Sequence, residues 1–308
     1  MTQTIKHKAK EFLKKISVPG FAGMNLYDLI KLYWEGIFKG SITLRAGAIA
    51  YSFFMALFPF LLFTLSIIPL VPIPGFQEDF IAFFHDVLPP KTSELMDGII
   101  YDIATRPKKG LMSFSIVLSF LFMANGVNTI LTSFEESVNK VIDKRNFLKQ
   151  YIVALGLSIS LVIILFFTII ALIYFEIIVV YQLKEQGIID DYNFWMEWGK
   201  KLFYVAMLLI SVSIIYYFGT KEGKQLRFIS PGSIMTTLLV LISFKAFQFY
   251  INHFNRYNQL YGSIGAFLIL LLMIYFNSII LLLGYELNMA ILTYKQNRDN
   301  GLSETVDH

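Results

Sequence analysis

The chain is predicted to be all-α, a polytopic membrane bundle of six transmembrane helices, and three observations predict it. Six apolar stretches of about 20 residues recur along the sequence, and at ~1.5 Å per residue such helices match a hydrocarbon core of ~30 Å. Charged residues make up 16% of the chain, where soluble domains carry about 25%. Finally, Lys and Arg alternate between loops. Segments 1–45, 135–150, 220–232 and 291–308 hold 17 of them, and segments 71–110, 182–201 and 252–261 hold 8, with 10 acidic residues on each side. That bias is the positive-inside rule and places both termini in the cytoplasm; an odd number of spans would break it.

Residues 1–45 are expected to form a cytoplasmic unit. Lys6, Lys8, Lys10, Lys14 and Lys15 suit anionic headgroups. No apolar core follows them directly, so a signal peptide is not expected. Over Met24–Leu44, Leu26, Ile30, Tyr33 and Ile37 recur at helical spacing, with Asp28, Lys31, Glu35 and Lys39 on the other face. This predicts an amphipathic helix, lying in the membrane plane or packed on other segments.

The membrane domain is read over 46–290. Span 1, 46–70, contains Pro59, which should kink it, and small residues at Ala48, Ser52 and Ala56 that allow close helix approach. Segment 71–110 is too long for a simple connection. Pro72 and Pro74 open it and Pro89-Pro90 divide it, so two short amphipathic helices are predicted. Phe76, Phe80, Phe83, Phe84 and Val87 form the stripe of the first, and Leu95, Ile99 and Ile103 that of the second. Spans 2 to 6 are predicted at 111–134, 151–181, 202–219, 233–251 and 262–285. The third is long enough to require tilt, and Pro231 suits the first turn of the fifth. The tail, 291–308, is polar and expected to be disordered beyond Tyr294. Neither a repeat of 20–50 residues nor an inverted repeat of the transporter kind is evident.

Ionisable residues within spans are costly and mark candidate sites. Glu176 and Lys245 both fall ~8–9 Å below the outer interface at ~1.5 Å per residue, a depth that allows an ion pair; each can alternatively snorkel outward. Lys245, Gln248, Asn252 and Arg256 recur at helical spacing as a polar stripe, which suits a headgroup path or a helix facing the bundle interior. Asn125, Asn128 and Thr132 share one side of span 2; Ala266, Met273, Asn277, Gly284 and Asn288 share one side of span 6. Interhelical hydrogen bonding and close packing are the first reading of both rows, a substrate groove the second. Arg45 and Glu286 lie at the cytoplasmic ends of their spans and can pair across the bundle.

Several function classes lack their signatures. There is no Cys, hence no disulfide, thiolate metal site or Cys nucleophile. The four His residues have no metal-ligand spacing, and phosphate-cradling glycine loops and a nucleophile elbow are absent. Neither cofactor nor metal is expected. The net charge of +4 follows the membrane rule and is no nucleic-acid footprint.

Ala46–Leu70, AGAIAYSFFMALFPFLLFTLSIIPL, resembles the first-span signature of the YihY/BrkB membrane protein family. Tyr257–Ala290, YNQLYGSIGAFLILLLMIYFNSIILLLGYELNMA, resembles its last-span signature more closely, and Ser230-Pro231-Gly232 the Pro-Gly that opens its fifth span. The resemblance covers about residues 25–295. It implies a six-helix inner-membrane protein, in agreement with the span count. The family has been labelled ribonuclease BN and virulence factor, and neither label names a mechanism. RNA hydrolysis generally needs a metal cluster or a positioned acid and base, and no cytoplasmic loop here supplies one. Some members have been linked to envelope lipid export. The expected activity is therefore transporter-like movement of a lipid or other amphipathic envelope component, with membrane lipids as partners and no enzymatic chemistry. The alternative is a non-transporting scaffold that binds envelope proteins.

Overall fold

A computed structural model describes residues 25, 27, 41–67, 109–137, 145–175, 192–253 and 263–299. Six long helices form: α1 (Ile42–Ile67), α2 (Lys109–Glu135), α3 (Phe147–Tyr174), α4 (Tyr192–Gly219), α5 (Pro231–His253) and α6 (Ser263–Asp299), with a 3-10 turn at Glu222–Gln225. Each contains a stretch long and apolar enough to cross a membrane. Helices are what such sequences must form, because no water in the hydrocarbon core satisfies a backbone N–H or C=O. The amphipathic helix expected over Met24–Leu44 and the pair expected over 71–110 fall almost wholly outside the described residues.

Element boundaries differ from expectation in several places, and α3 opens at Phe147, four residues before the expected Tyr151. α1 opens at Ile42, so Arg45 lies within its first turn. α4 begins at Tyr192, ten residues before the expected Leu202. Its extra turns are held by side chains rather than by apolar length: Phe194 packs its ring 6.1 Å from Trp198, Lys201 sits 5.0 Å over the Trp198 ring, and Lys201 pairs with Glu197 at 2.6 Å. α6 continues to Asp299, beyond the expected break at Tyr294. At 37 residues it is ~55 Å long, well beyond a ~30 Å core. Its protruding end is tied back where Gln296 Nε2 donates to Gln225 Oε1 at 3.1 Å. Pro59 sits inside α1, buried, and the helix runs through it.

Each helix packs on its chain neighbour and α6 returns to α1, so the six close into a ring, with α2 and α6 also touching across it. The densest packing lies at the end where α1, α3 and α5 begin and α2, α4 and α6 finish, called the basal end below. Ile42, Ala46 and Ile49 of α1 meet Val127, Leu131 and Phe134 of α2 there, together with Tyr216 of α4 and Tyr285 of α6. The Phe134 and Tyr285 rings stack with centroids 4.0 Å apart, and Tyr216 meets Phe134 edge-on at 5.7 Å. This aromatic trio fills the basal axis of the ring.

Lipid tails are as apolar as leucine, so helices associate in a bilayer through close packing and hydrogen bonds. Both operate where α5 crosses α6. A Cβ on Gly284 would overlap Thr236 and the Tyr216 hydroxyl, and a Cβ on Gly232 would overlap Gly284 and Asn288. The Tyr216 hydroxyl donates to the Leu281 carbonyl at 2.7 Å and pairs with the Thr236 hydroxyl at 2.8 Å.

Candidate functional site

Among the described residues, the basal end gathers most of the buried polar groups of the ring, its buried ion pair included. Arg45 and Glu286 are each 4% exposed, and Arg45 Nη2 donates to Glu286 Oε1 at 3.0 Å. The same guanidinium donates through Nη1 to the Ser133 carbonyl at 2.7 Å, and the Ser137 hydroxyl donates to Glu286 Oε2 at 2.7 Å. One ion pair thus joins α1 and α6, and its remaining bonds recruit the end of α2. Buried charges persist only when paired and hydrogen-bonded in this way.

These charges oppose the local helix dipoles. A helix N-terminus carries about half a positive charge and a C-terminus about half a negative one. Arg45 nevertheless sits in the first turn of α1, and Glu135 ends α2. Cross-helix bonds compensate both. Arg45 takes an α2 carbonyl and Glu286, while Glu135 Oε1 accepts the Arg145 backbone N–H at 3.1 Å. Arg145 is placed conventionally: its guanidinium donates to the Gly219 carbonyl at 2.8 Å and to that of Phe218 at 3.3 Å, closing the C-terminus of α4.

Beside the ion pair, a groove of about 450 Å³ lies between α1 and α2, lined by residues including Ser41, Arg45, Asn128, Thr129, Ser133 and Glu136. Ser41, at φ 49°, adopts the left-handed conformation immediately before α1. Thr129 shares a 3.0 Å hydrogen bond with Ser52 and donates to the Asn125 carbonyl at 2.9 Å, while Thr132 accepts Gln150 Nε2 at 2.9 Å. The Asn128 Oδ1 atom is buried and has no hydrogen-bond partner among the described residues. Higher between the same helices lies an apolar cavity of about 140 Å³, lined by residues including Phe53, Ala56, Phe60, Met123 and Leu161.

The structure distributes the candidate residues unevenly. Arg45 and Glu286 meet. Gly284 makes the closest α5–α6 approach, and Asn288 bonds across the same seam, accepting the Gly232 N–H and donating to the Ser230 hydroxyl, each at 2.9 Å. Asn277 donates only to the Met273 carbonyl one turn earlier in its own helix, at 2.8 Å, and its Oδ1 is buried without a partner among the described residues. Asn125 is exposed, whereas Asn128 faces the groove.

Lys245 and Gln248 are exposed on α5. At 100° per residue, Lys245 shares the face of Leu238, Ile242 and Phe249, all more than half exposed, and opposes the buried Thr236 and Val240. The stripe therefore turns outward from the ring and not into it. The Asn252 side chain, Glu176 and Arg256 lie outside the described residues, and with them the Glu176–Lys245 pair. Among the described residues, no group of three or more His, Cys, Asp or Glu could hold a metal ion. The sequence reading missed Ser133, Ser137 and Arg145. The first two were findable, since Asn125, Thr129, Ser133 and Ser137 form an unbroken row at intervals of four along α2 and just past its end.

Comparison with known proteins adds a family. The model of a family described as Virulence factor BrkB matches residues 34–308. The ribonuclease-like protein YfkH of Bacillus subtilis is 26% identical over 257 residues, covering 80% of this chain and 89% of its own length. A UPF0761 membrane protein of Pseudoalteromonas atlantica is 23% identical over 284 residues, covering 88% of this chain and 89% of its own. A UPF0761 membrane protein of Xanthomonas campestris is 29% identical over 102 residues, 33% of this chain and 24% of that protein. No solved structure matches the chain significantly.

Proposed function

The chain belongs to the Virulence factor BrkB family, and we propose that it is a transporter-like protein of the bacterial cytoplasmic membrane that moves a lipid or other amphipathic envelope component. The groove between α1 and α2 carries this reading. It is lined by polar and apolar side chains together and lies at the ends of the spans, the depth at which lipid headgroups lie. A route down the ring axis would have to pass the Phe134–Tyr216–Tyr285 stack, which favours a path along the protein–lipid boundary. Lys245 suits the same role at the other end of the bundle. An ammonium on a lipid-facing helix is costly, and a lipid phosphate is its natural counter-ion. The excess of Lys and Arg near the basal end supports a cytoplasmic position for that end and for both chain termini; reporter fusions at either terminus test it.

Purified protein reconstituted in liposomes is expected to move fluorescent lipids between leaflets faster than empty vesicles do, and Lys245→Ala to slow that movement without lowering the reconstituted amount. Movement no faster than in empty vesicles would refute the reading. A non-transporting scaffold for envelope assembly is the second reading, favoured by the same outward stripe, because a partner's helix covers exposed Lys245 and Gln248 as well as a headgroup does. Since the chain has no native Cys, cross-linking from Gln248→Cys to another envelope protein would favour it. The nuclease name is that of the Bacillus relative and is not extended to this chain; metal-dependent RNA cleavage abolished by one carboxylate substitution would reverse that.

A further inference from the structure

We infer that the ring encloses a binding chamber for one acyl chain of a membrane lipid. The inference rests on the lipid-engaging reading above and names where the hydrocarbon part of the ligand sits.

The chamber is the apolar cavity of about 140 Å³ walled by α1, α2 and α3, and helical phase places it inside the ring. At 100° per residue, Phe53 and Phe60 of α1 stand opposite the exposed Tyr51 and Phe58. Met123 and Val127 of α2 stand opposite the exposed Leu121 and Asn125, and Leu161 of α3 opposite the exposed Ile159 and Ile163. Three helices thus turn the faces that avoid the surrounding lipid toward one space. Below it the Phe134–Tyr216–Tyr285 stack closes the ring. Above it the ring is accessible. Tyr216 of α4 reaches rings on α2 and α6, so its side of α4 is the inward one. Trp198 precedes Tyr216 by about five turns and shares that side, as does Leu202. Tyr216 is buried, whereas Trp198 and Leu202 are more than half exposed. At ~1.5 Å per residue the cavity lies roughly 12–27 Å from the base and Leu202 and Trp198 roughly 26–32 Å from it. The exposed inward face of α4 therefore begins at the height where the cavity ends. The interior is a cup, closed at the base and reachable from the opposite end.

The walls select the occupant. Among the described residues the lining carries no polar side chain, so water entering it would find no hydrogen-bond partner. Folded interiors hold few voids larger than a water, and an apolar cavity of about 150 Å³ stays dry and admits apolar guests. The cavity lies within the apolar stretches of its three helices, a depth at which the bilayer offers acyl chains. A helix, at ~10 Å across, is too wide for it; a single acyl chain is not. Two residues fit that guest. Met123 supplies a flexible, polarisable thioether that adapts to a mobile chain. Gly126 keeps the wall thin, since a Cβ there would touch only the Phe53 ring at 3.6 Å and the Ser52 backbone at 3.9 Å.

The test is photo-cross-linking of the full-length protein in vesicles containing phosphatidylethanolamine with a diazirine at the end of one acyl chain. Adducts are mapped by peptide mass spectrometry. Wild type is expected to carry adducts on the inward Phe53, Phe60 or Met123 as well as on the outward Ile163 and Phe167. Gly126→Leu fills the cavity and should lower the inward adducts about tenfold relative to the outward ones, the loss expected from about two buried methylenes. The outward adducts report that the variant still inserts. Gly156→Leu, at an exposed position with nothing within 4 Å of its Cβ, should leave the ratio unchanged. Outward adducts alone in wild type, or inward adducts untouched by Gly126→Leu, overturn the inference; the wild-type map decides even where that variant fails to insert. Leaflet exchange measured on the same vesicles is a separate readout. Exchange without inward adducts sinks the chamber and keeps the transport reading, and inward adducts without exchange do the reverse.

Discussion

Replacing Glu286 with Ala should be among the most damaging single changes in this bundle, and the structure gives the scale. Arg45 is 4% exposed and has its carboxylate partner at 3.0 Å. With Glu286 gone, the guanidinium keeps the Ser133 carbonyl but loses the carboxylate at 3.0 Å. Leaving one partner of a buried pair uncompensated typically costs 3–5 kcal/mol. Removing both charges is far milder, because the pair's attraction largely repaid its own desolvation. The double variant Arg45→Leu/Glu286→Leu is therefore expected within about 1–2 kcal/mol of wild type, giving a strongly favourable coupling energy in the cycle. Reversible unfolding in mixed detergent micelles, followed by tryptophan fluorescence, measures wild type, Glu286→Ala, and the Arg45→Leu and Glu286→Leu singles with their double variant. A Glu286→Ala loss below about 1 kcal/mol, or a double variant as unstable as the two singles added, would refute the reasoning that this pair is desolvated and isolated from water.

Three other outcomes are expected in the same unfolding assay. Gly284→Ala should destabilise by about 1–3 kcal/mol, because its Cβ would overlap Thr236 and Tyr216, while Gly156→Ala, with nothing within 4 Å of its Cβ, should be neutral or stabilise by up to ~1 kcal/mol. Asn288→Leu should cost about 2 kcal/mol by removing both bonds that fix the start of α5, and increased hydrogen exchange at Gly232 checks the cause. Arg145→Ala should cost about 1–2 kcal/mol through the lost closure of α4, and Arg145→Lys should recover only part, since an ammonium lacks the guanidinium fork.

The spans were legible because lipid removes the competing structures: an apolar run of some 20 residues can only be helix, so length alone identified all six. Their ends were less legible because different forces set them. Lys184–Lys201 reads as an acidic loop by composition, yet aromatic packing and one ion pair at i,i+4 keep it helical from Tyr192 onward. Past Tyr294 the polar sequence suggests fraying, but Gln296 finds Gln225 on another element. Contacts between residues 71 apart leave no periodic trace. The same holds at the site. Arg45 and Glu286 were selectable as charges at span ends; that α2 contributes Ser133 and Ser137 to them depends on ring closure between α1 and α6, which no local pattern encodes. The α5 stripe shows the reverse difficulty: its spacing was visible, but a polar row looks the same in sequence whether its helix turns it inward or outward.

The distribution of packing bears on how anything could cross this membrane. A rocking mechanism that opens the ring at its base must separate Arg45 from Glu286 and unstack Phe134, Tyr216 and Tyr285. The first separation alone is worth about 3–5 kcal/mol if water does not follow, and each aromatic pair adds ~0.5–1.5 kcal/mol. A gap of about 5.5 kcal/mol already holds an opened state near one molecule in 10⁴, so a substrate would have to bind that state about 10⁴-fold more tightly merely to populate the two equally. The groove asks for no such rearrangement. It is formed while the base is closed, because the ion pair that locks α1 to α6 also holds the Ser133 carbonyl and so fixes the spacing of its two walls. Locking the base and shaping the groove are then one structural act. A substitution that loosens the pair should distort the groove before it opens any axial path, and conductance to small ions should stay absent in vesicles holding Glu286→Gln.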